Sequence, residues 1–408
     1  MNIILINHYA GSDRHGMEYR PYYLAREWVK LGHKVIIIAA SVSHVRSQQP
    51  DITGTVTEEN LDGIRYLWLK TPEYHGNGVR RVLNMLAFVW RLAGLRKKLV
   101  SEFKPDTVID SSTYPMDIYP ARSIAKTARA KLIFEVHDLW PLSPMELGGM
   151  SRWHPFIMVM QWAENYAYRM ADRVVSILPK AESHMQEHGM ELHKFIYIPN
   201  GIVVEEWQDD NMTLPQQHIE VLERLKKDGR FIVGYAGTHG LANALNNLVK
   251  VASLIQNQPV SIVLVGQGPE KETLQRQALD LKLTNVIFLP PVSKSAIPKL
   301  LTFMDALYTG LNRNPLYRFG ICPNKLMDYM MAAKPVIHAV EAGNDMVAES
   351  GCGISVSPEN PAAVADAIMQ LISMSDAERK KMGEMGRAYV LAHHDYQVLA
   401  KKFVEIME

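Results

Sequence analysis

Cysteine is nearly absent. Cys322 and Cys352 are the only two in 408 residues. Two thiols cannot staple a chain of this size, so the sequence suits a reducing compartment, with both thiols acting as small buried hydrophobes. A charge excess of one sign is lacking too. Lys and Arg number 44 against 43 Asp and Glu, a formal net charge of +1, which gives no general attraction to nucleic acid. The first 200 residues carry 24 basic and 20 acidic side chains, and the remainder 20 and 23, so the first half is modestly the more basic. No apolar run approaches the roughly 18 residues that a membrane-spanning helix needs. The start, Met1-Asn2-Ile3-Ile4-Leu5-Ile6-Asn7-His8, has no basic segment ahead of its short apolar run, unlike a secretory signal. A cytoplasmic protein is expected, with peripheral membrane association left open.

Catalytic and metal signatures are missing as well. There is no H-E-x-x-H, C-x-x-C or strand-end D-x-D, no Walker loop, no G-x-S-x-G elbow and no G-x-G-x-x-G. The fifteen histidines show no evident ligand spacing. These absences argue against a metal centre, a serine hydrolase, a P-loop NTPase and a nicotinamide-dependent oxidoreductase.

What is present is ordinary globular composition, 47% hydrophobic and 21% charged. The length suits two domains of about 200 residues each. Short Ile/Val runs alternate with longer helical patterns, as in parallel strands buried on both faces. Strands are expected at Ile3–Asn7, Lys34–Ala40, Thr107–Asp110, Lys131–Val136 and Val174–Leu178, with a helix over 18–31. The pattern restarts after Pro199-Asn200-Gly201. Strands follow at Phe231–Ala236, Ser261–Val265, Val286–Leu289, Ala306–Tyr308, Pro335–Val340 and Ile354–Val356. The expectation is an α/β chain of two doubly wound, Rossmann-like domains facing across a cleft: 1–200, 201–383, and a helix over 384–408 that crosses back to the first. Ligands of such sheets bind beyond the carboxyl ends of the strands.

Four segments lie at those ends. The loop from His8 to Gly16 leads into the first helix, and Gly11 and Gly16 allow backbone N–H groups to face an anion. Glu135-Val136-His137-Asp138-Leu139-Trp140-Pro141 ends a strand; His137 and Asp138 could orient a hydroxyl or steady a cationic transition state, or His137 could be a satisfied core histidine. Val265-Gly266-Gln267-Gly268-Pro269 offers a second glycine approach to an anion, or a tight turn. In Pro323-Asn324-Lys325-Leu326-Met327-Asp328-Tyr329, Pro323 suits a helix start, and Asn324 and Lys325 would place free N–H groups and a cation beside a nucleoside diphosphate. Asp328, one turn on, could accept from ribose hydroxyls. The alternative for this pair is an i, i+3 surface ion pair of little worth.

The tandem α/β pattern, Val233-Gly234-Tyr235-Ala236-Gly237-Thr238, the Gly266–Pro269 loop and the stretch 323–337 together resemble a GT-B glycosyltransferase. They are most similar to retaining family 4, in its bacterial O-antigen and capsule (WbuB-like) branch. The resemblance implies a nucleotide-sugar, most often UDP-linked, on the C-terminal domain and the acceptor on the N-terminal one, with no metal or other cofactor. It places His137 near the donor sugar and Gly16 in the loop approaching the donor. Gly266, Gly268, Asn324, Lys325 and Asp328 fall in donor-binding positions. The family's E-x7-E signature is incomplete: Asp328 stands at the second acidic position and Gly320 at the first. The Arg and Lys that commonly hold the diphosphate correspond to Thr238 and Asn243, so Lys325 is the expected replacement cation. The implied reaction is retaining transfer of a sugar to a growing O-antigen or capsule glycan linked to polyprenyl diphosphate. A nucleotide-sugar 2-epimerase and a non-catalytic nucleotide-sugar-binding protein share the architecture.

Residues 79–104 carry seven Lys and Arg against Glu102 alone. Apolar residues between them would form a broad helical face, suited to an anionic membrane surface or to core packing with solvated basic ends. The segment 140–162, with Trp140, Trp153, Phe156 and Trp162, could add an apolar surface on the acceptor side.

Overall fold

A computed structural model describes residues 1–76, 78–208 and 213–408. The chain forms two compact units, Met1–Asn200 with Tyr396–Glu408, and Gly201–Asp395.

The first unit is built on eight strands: β1 (Asn2–Ile6), β2 (Lys34–Ala40), β3 (Val56–Leu61), β4 (Ile64–Leu69), β5 (Thr107–Asp110), β6 (Lys131–Val136), β7 (Arg173–Ser176) and β8 (Phe195–Tyr197). Their order is β3-β4-β2-β1-β5-β6-β7-β8. All pairs are parallel except β3–β4. Ile3, Ile4, Leu5 and Ile6 are wholly buried, as a central parallel strand covered on both faces requires. The β3–β4 hairpin and β8 are additions to the sequence expectation. Leu61 pairs with Ile64 around Asp62-Gly63, both at positive φ (50° and 81°). That is the conformation for which Asp-Gly is the favoured two-residue turn.

The second unit has six strands: β9 (Phe231–Ala236), β10 (Val260–Val265), β11 (Val286–Leu289), β12 (Ala306–Gly310), β13 (Val336–Ala339) and β14 (Gly353–Val356). The order β11-β10-β9-β12-β13-β14 is parallel throughout, the doubly wound 3-2-1-4-5-6 arrangement. Separate apolar clusters cover its two faces, one around Val263, Leu300 and Met330, the other around Ile262, Leu264 and Ile368. Both cysteines are buried and form no disulfide among the described residues.

The single helix expected over 384–408 is instead two. Helix Asp376–His393, opened by a Ser375–Glu378 capping box, belongs to the second unit. Helix Tyr396–Met407 belongs to the first. The break has a backbone cause: the Ile202 N–H donates to the His394 carbonyl at 2.7 Å, and Ile202 bridges to Asp395. The last helix packs Phe403 on Trp28 with ring centroids 5.2 Å apart, and Trp28 Nε1 donates to the Ala400 carbonyl at 3.2 Å. Strand order reverses between β1 and β5 in one sheet and between β9 and β12 in the other, so each sheet has a crevice at its carboxyl edge.

Candidate functional site

At the carboxyl edge of the first sheet, Glu135, the penultimate residue of β6, is wholly buried and ion-paired with the buried Arg20, the first residue of helix Arg20–Lys30. Arg20 donates to Glu135 Oε1 from Nε at 3.0 Å and from Nη2 at 2.9 Å. It also donates to the carbonyls of Ile198 and Pro199, where the unit's chain leaves β8. The other carboxylate oxygen, Oε2, accepts from Ser111 Oγ at 2.6 Å and from His137 Nε2 at 3.1 Å. Burial alone would raise this carboxyl; Arg20, with His137 and Ser111, outweighs it and holds Glu135 well below the usual carboxylate range.

An ionised Glu135 only accepts, so the network assigns the proton of the His137 ring to Nε2. Nδ1 has no partner among the described residues and is the atom through which the ring can meet a ligand. Asp138 turns elsewhere: its Oδ1 accepts from the Leu139 N–H at 2.9 Å and from Ser143 Oγ at 2.6 Å, shaping the loop before Trp140. Gly16 also differs in role. Its φ is 91°, and its N–H donates to the Ser12 carbonyl at 2.7 Å, so in this conformation that amide closes its own loop rather than facing a ligand.

In the second unit the glycine loops after β9 and β10 pack backbone against backbone. A Cβ on Gly266 would sit 1.9 Å from the Gly237 carbonyl oxygen, and one on Gly268 2.5 Å from that of His239. Only glycine allows that approach. Lys325, in the first turn of helix Asn324–Met331, reaches across to the same ground. Its Nζ donates to Tyr235 Oη at 3.1 Å and to Asn243 Oδ1, and it lies 4.8 Å from the Tyr235 ring centre. Burial lowers its ammonium to about 8. No carboxylate pairs with it among the described residues. The Thr238 carbonyl accepts from Tyr235 Oη and Asn243 Nδ2, which fixes the loop, while the amides of Thr238, Asn324 and Lys325 have no protein acceptor among the described residues.

Asp328 makes no ion pair with Lys325 among the described residues. Burial pushes its carboxyl up to about 7, with Lys294 opposing and Glu206 reinforcing. The surface-pair alternative for these two residues is thereby set aside: one faces the glycine loops, the other the neighbourhood of Lys294. Sequence reasoning missed Arg20 and Ser111 in the first unit and Tyr235 in the second. Ser111-Ser112 directly after β5 was the available signal for one; nothing near Arg20 in sequence announces Glu135.

A third feature is apolar. Tyr9, Met85, Tyr114 and Met160 form a small cluster flanked by Val89, Met116, Trp140 and Phe156. Helix Val79–Lys98 contributes Met85 to it and also buries Phe88 and Leu92. It also leaves Val79, Leu83, Leu86 and Trp90 exposed at i, i+4, i+7 and i+11, with Trp90 74% exposed. On helix Pro155–Met170, Val159 and Trp162 are exposed as well. The helix over 79–98 therefore has a core-packed face and a second, solvent-facing apolar stripe. No described helix is long and apolar enough to cross a membrane.

Comparison with known proteins bears on both units. Residues 15–201 match the model of the glycosyl transferase 4-like domain, and residues 219–389 that of the glycosyl transferases group 1. The chain is 22% identical over 395 residues to the putative colanic acid biosynthesis glycosyl transferase WcaI of Escherichia coli strain K12, covering 93% of each chain. Among solved structures it is similar to Anabaena HepE in complex with UDP and glucose, at a TM-score of 0.69 and 16% identity, covering 100% of this chain and 99% of that one. It is also similar to WaaG, a glycosyltransferase involved in lipopolysaccharide biosynthesis, at 0.66 and 15%, covering 99% of each.

Proposed function

With a glycosyl transferase 4-like domain followed by a glycosyl transferases group 1 domain, the chain is a GT-B glycosyltransferase of family 4, and we propose that it transfers a sugar, with retention, from a UDP-sugar to a hydroxyl of a growing, lipid-linked surface glycan. The observation that carries the donor half is Lys325. A cation withdrawn from water, held by neutral partners beside close-packed glycine loops and open helix amides, is a site awaiting an anion. A nucleoside diphosphate fits that chemistry, and HepE, similar over its whole length, binds UDP. Thr238, Gly266, Gly268 and Asn324 shape the approach to the diphosphate, and Asp328 takes the ribose.

The mechanism follows from what each group can do. The departing diphosphate gains charge in the transition state, and Lys325 with the helix amides stabilises it. Glu135 is locked ionised by Arg20 and has no access to substrate, so it is no general base. It orients His137, whose Nδ1 acts at the donor sugar. The acceptor proton goes to the leaving diphosphate on the face that the acceptor attacks, which gives retention without a strong protein base.

The glycan assignment rests on the similarity to WcaI and WaaG. The lipid-linked acceptor and peripheral docking on an anionic membrane rest on the exposed stripe Val79–Leu83–Leu86–Trp90 beside Arg80, Arg81 and Arg91. The test is a panel of nucleotide-sugars, each with and without a polyprenyl-diphosphate-linked saccharide. Transfer that keeps the donor's anomeric configuration supports the reading. Release of an epimer from donor alone replaces it with the epimerase, and binding without turnover with a binding protein. Sedimentation with liposomes completes the test. Failure to bind anionic vesicles at low salt, or equal binding to neutral ones, removes the membrane part.

A further inference from the structure

Away from these sites, the first unit brings together three side chains of metal-ligating type. Glu164 lies on helix Pro155–Met170. His184 and His188 are four residues apart, on helix Glu182–Glu187 and at its cap, which sets both rings on one face. One donor atom from each of the three lies within 4.8 Å of the other two. His184 Nε2 is 3.7 Å from Glu164 Oε1, and the two imidazole centroids are 4.5 Å apart. The sequence therefore does contain a ligand spacing, H-x3-H, contrary to the expectation that its histidines lack one.

Glu164 needs a cation. It is 2% exposed, and among the described residues its only ion-pair partner is His184. Its oxygens otherwise accept neutral hydrogen bonds, from Tyr168 Oη at 3.0 Å and Gln161 Nε2 at 2.7 Å. A buried carboxylate with no Lys or Arg is costly unless positive charge is supplied nearby.

We infer that Glu164, His184 and His188 form a binding site for one divalent transition-metal ion, zinc by the chemistry of its donors. Two imidazoles and a carboxylate are the donor set of borderline ions, whereas magnesium and calcium prefer oxygen throughout. Bonds of about 2.0–2.2 Å in a tetrahedral shell put ligand atoms roughly 3.4 Å apart, so the 3.7 Å pair needs to move only a few tenths of an ångström, while the trio, which spans up to 4.8 Å, closes further by side-chain rotation. The outer shell is in place: Tyr168 and Gln161 orient the carboxylate, and Asn165 Oδ1 lies 3.1 Å from His188 Nδ1. The bound ion staples helix Pro155–Met170 to the segment that follows β7. Its role is structural.

The test uses untagged full-length protein, stripped with chelator, then titrated with Zn2+ and, separately, Mg2+. About one zinc per chain should remain after gel filtration, with no magnesium. Zinc should raise the unfolding midpoint by several degrees. His188→Ala and Glu164→Gln should each lose the retained zinc, whereas the exposed His193, beside Glu191, can become His193→Ala without effect. Should a variant fail to fold, Co2+ added to the stripped wild-type protein decides: a tetrahedral visible spectrum supports the site. Wild-type protein that retains no zinc and gives only the spectrum of hydrated Co2+ overturns the inference. So does a folded His184→Ala/His188→Ala protein that retains as much zinc as wild type.

Discussion

Glu135 in the first unit and Lys325 in the second are both charges withdrawn from water at the carboxyl edge of a parallel sheet, yet only Glu135 has its counter-charge built in. Around Glu135, Arg20, Ser111 and His137 satisfy both carboxylate oxygens, and the arrangement is complete before any ligand arrives. Around Lys325 there are a phenol, an amide oxygen and an aromatic face, and no carboxylate among the described residues. Burial disfavours the charged form of both groups, yet the outcomes are opposite. At Glu135 the charged neighbours outweigh burial and hold the carboxylate ionised, whereas at Lys325 burial goes unopposed by any charge and favours the neutral form. The first arrangement positions a side chain. The second stores an electrostatic cost that only an anionic ligand relieves.

The largest effect should come from breaking the completed pair. Arg20→Met strands a buried carboxylate, and equilibrium unfolding of the full chain should show the first unit destabilised by about 3–5 kcal/mol. Arg20→Met with Glu135→Leu should recover most of that loss while leaving turnover impaired, because His137 has lost its acceptor. A single variant as stable as wild type would mean the pair contributes nothing. Next is His137→Ala. Turnover should fall about 100-fold, or about 2.7 kcal/mol, with UDP affinity nearly unchanged. Comparing kcat with the calorimetric Kd checks this, and equal losses in both would place His137 in donor binding instead.

On the other side of the comparison, Lys325→Ala should weaken UDP binding by roughly 2 kcal/mol, the range of a charge-assisted hydrogen bond. The free variant should be no less stable than wild type, since the lysine is a burden there. Calorimetry and a melting curve read the two halves of that statement. Unchanged affinity would take Lys325 out of the donor site.

The contrast between these sites was only half legible in the sequence. Lys34–Ala40, Thr107–Asp110, Lys131–Val136 and Phe231–Ala236 coincide with β2, β5, β6 and β9 because parallel strands covered on both faces must be continuous apolar runs. Val-Thr-Glu-Glu-Asn-Leu escapes that rule. It is the edge strand β3, absent from the sequence expectation, for which the Asp62-Gly63 turn was the available signal. Pro323 before Asn324-Lys325 marked a helix start, which put the lysine in the first turn. Helical spacing could not say that Lys325 turns to Asn243 and away from Asp328, because the loop packed against that turn decides it. Arg20 is further from reach: its partner lies 115 residues away. Pairing over that separation leaves no local trace.

The smallest expected effect tests the comparison most directly. Burial holds Lys325 near 8, below its ordinary 10.5. Between those values the unfolded chain binds more protons than the folded one, so this group makes stability rise with pH across that window. At pH 8 about half of the lysines in the free protein are neutral. A bound diphosphate favours the charged form and raises the pKa, so binding at pH 8 should take up protons, on the order of half a proton per UDP. At pH 6.5 the lysine is already charged and that uptake should vanish. The readout is the UDP binding enthalpy in buffers of different ionisation enthalpy, whose slope counts the protons. Lys325→Arg keeps a permanent charge and should show no uptake at pH 8. A wild-type slope of zero at pH 8 would mean that the free lysine is already fully charged, and the distinction between a completed and an uncompleted charge would then disappear.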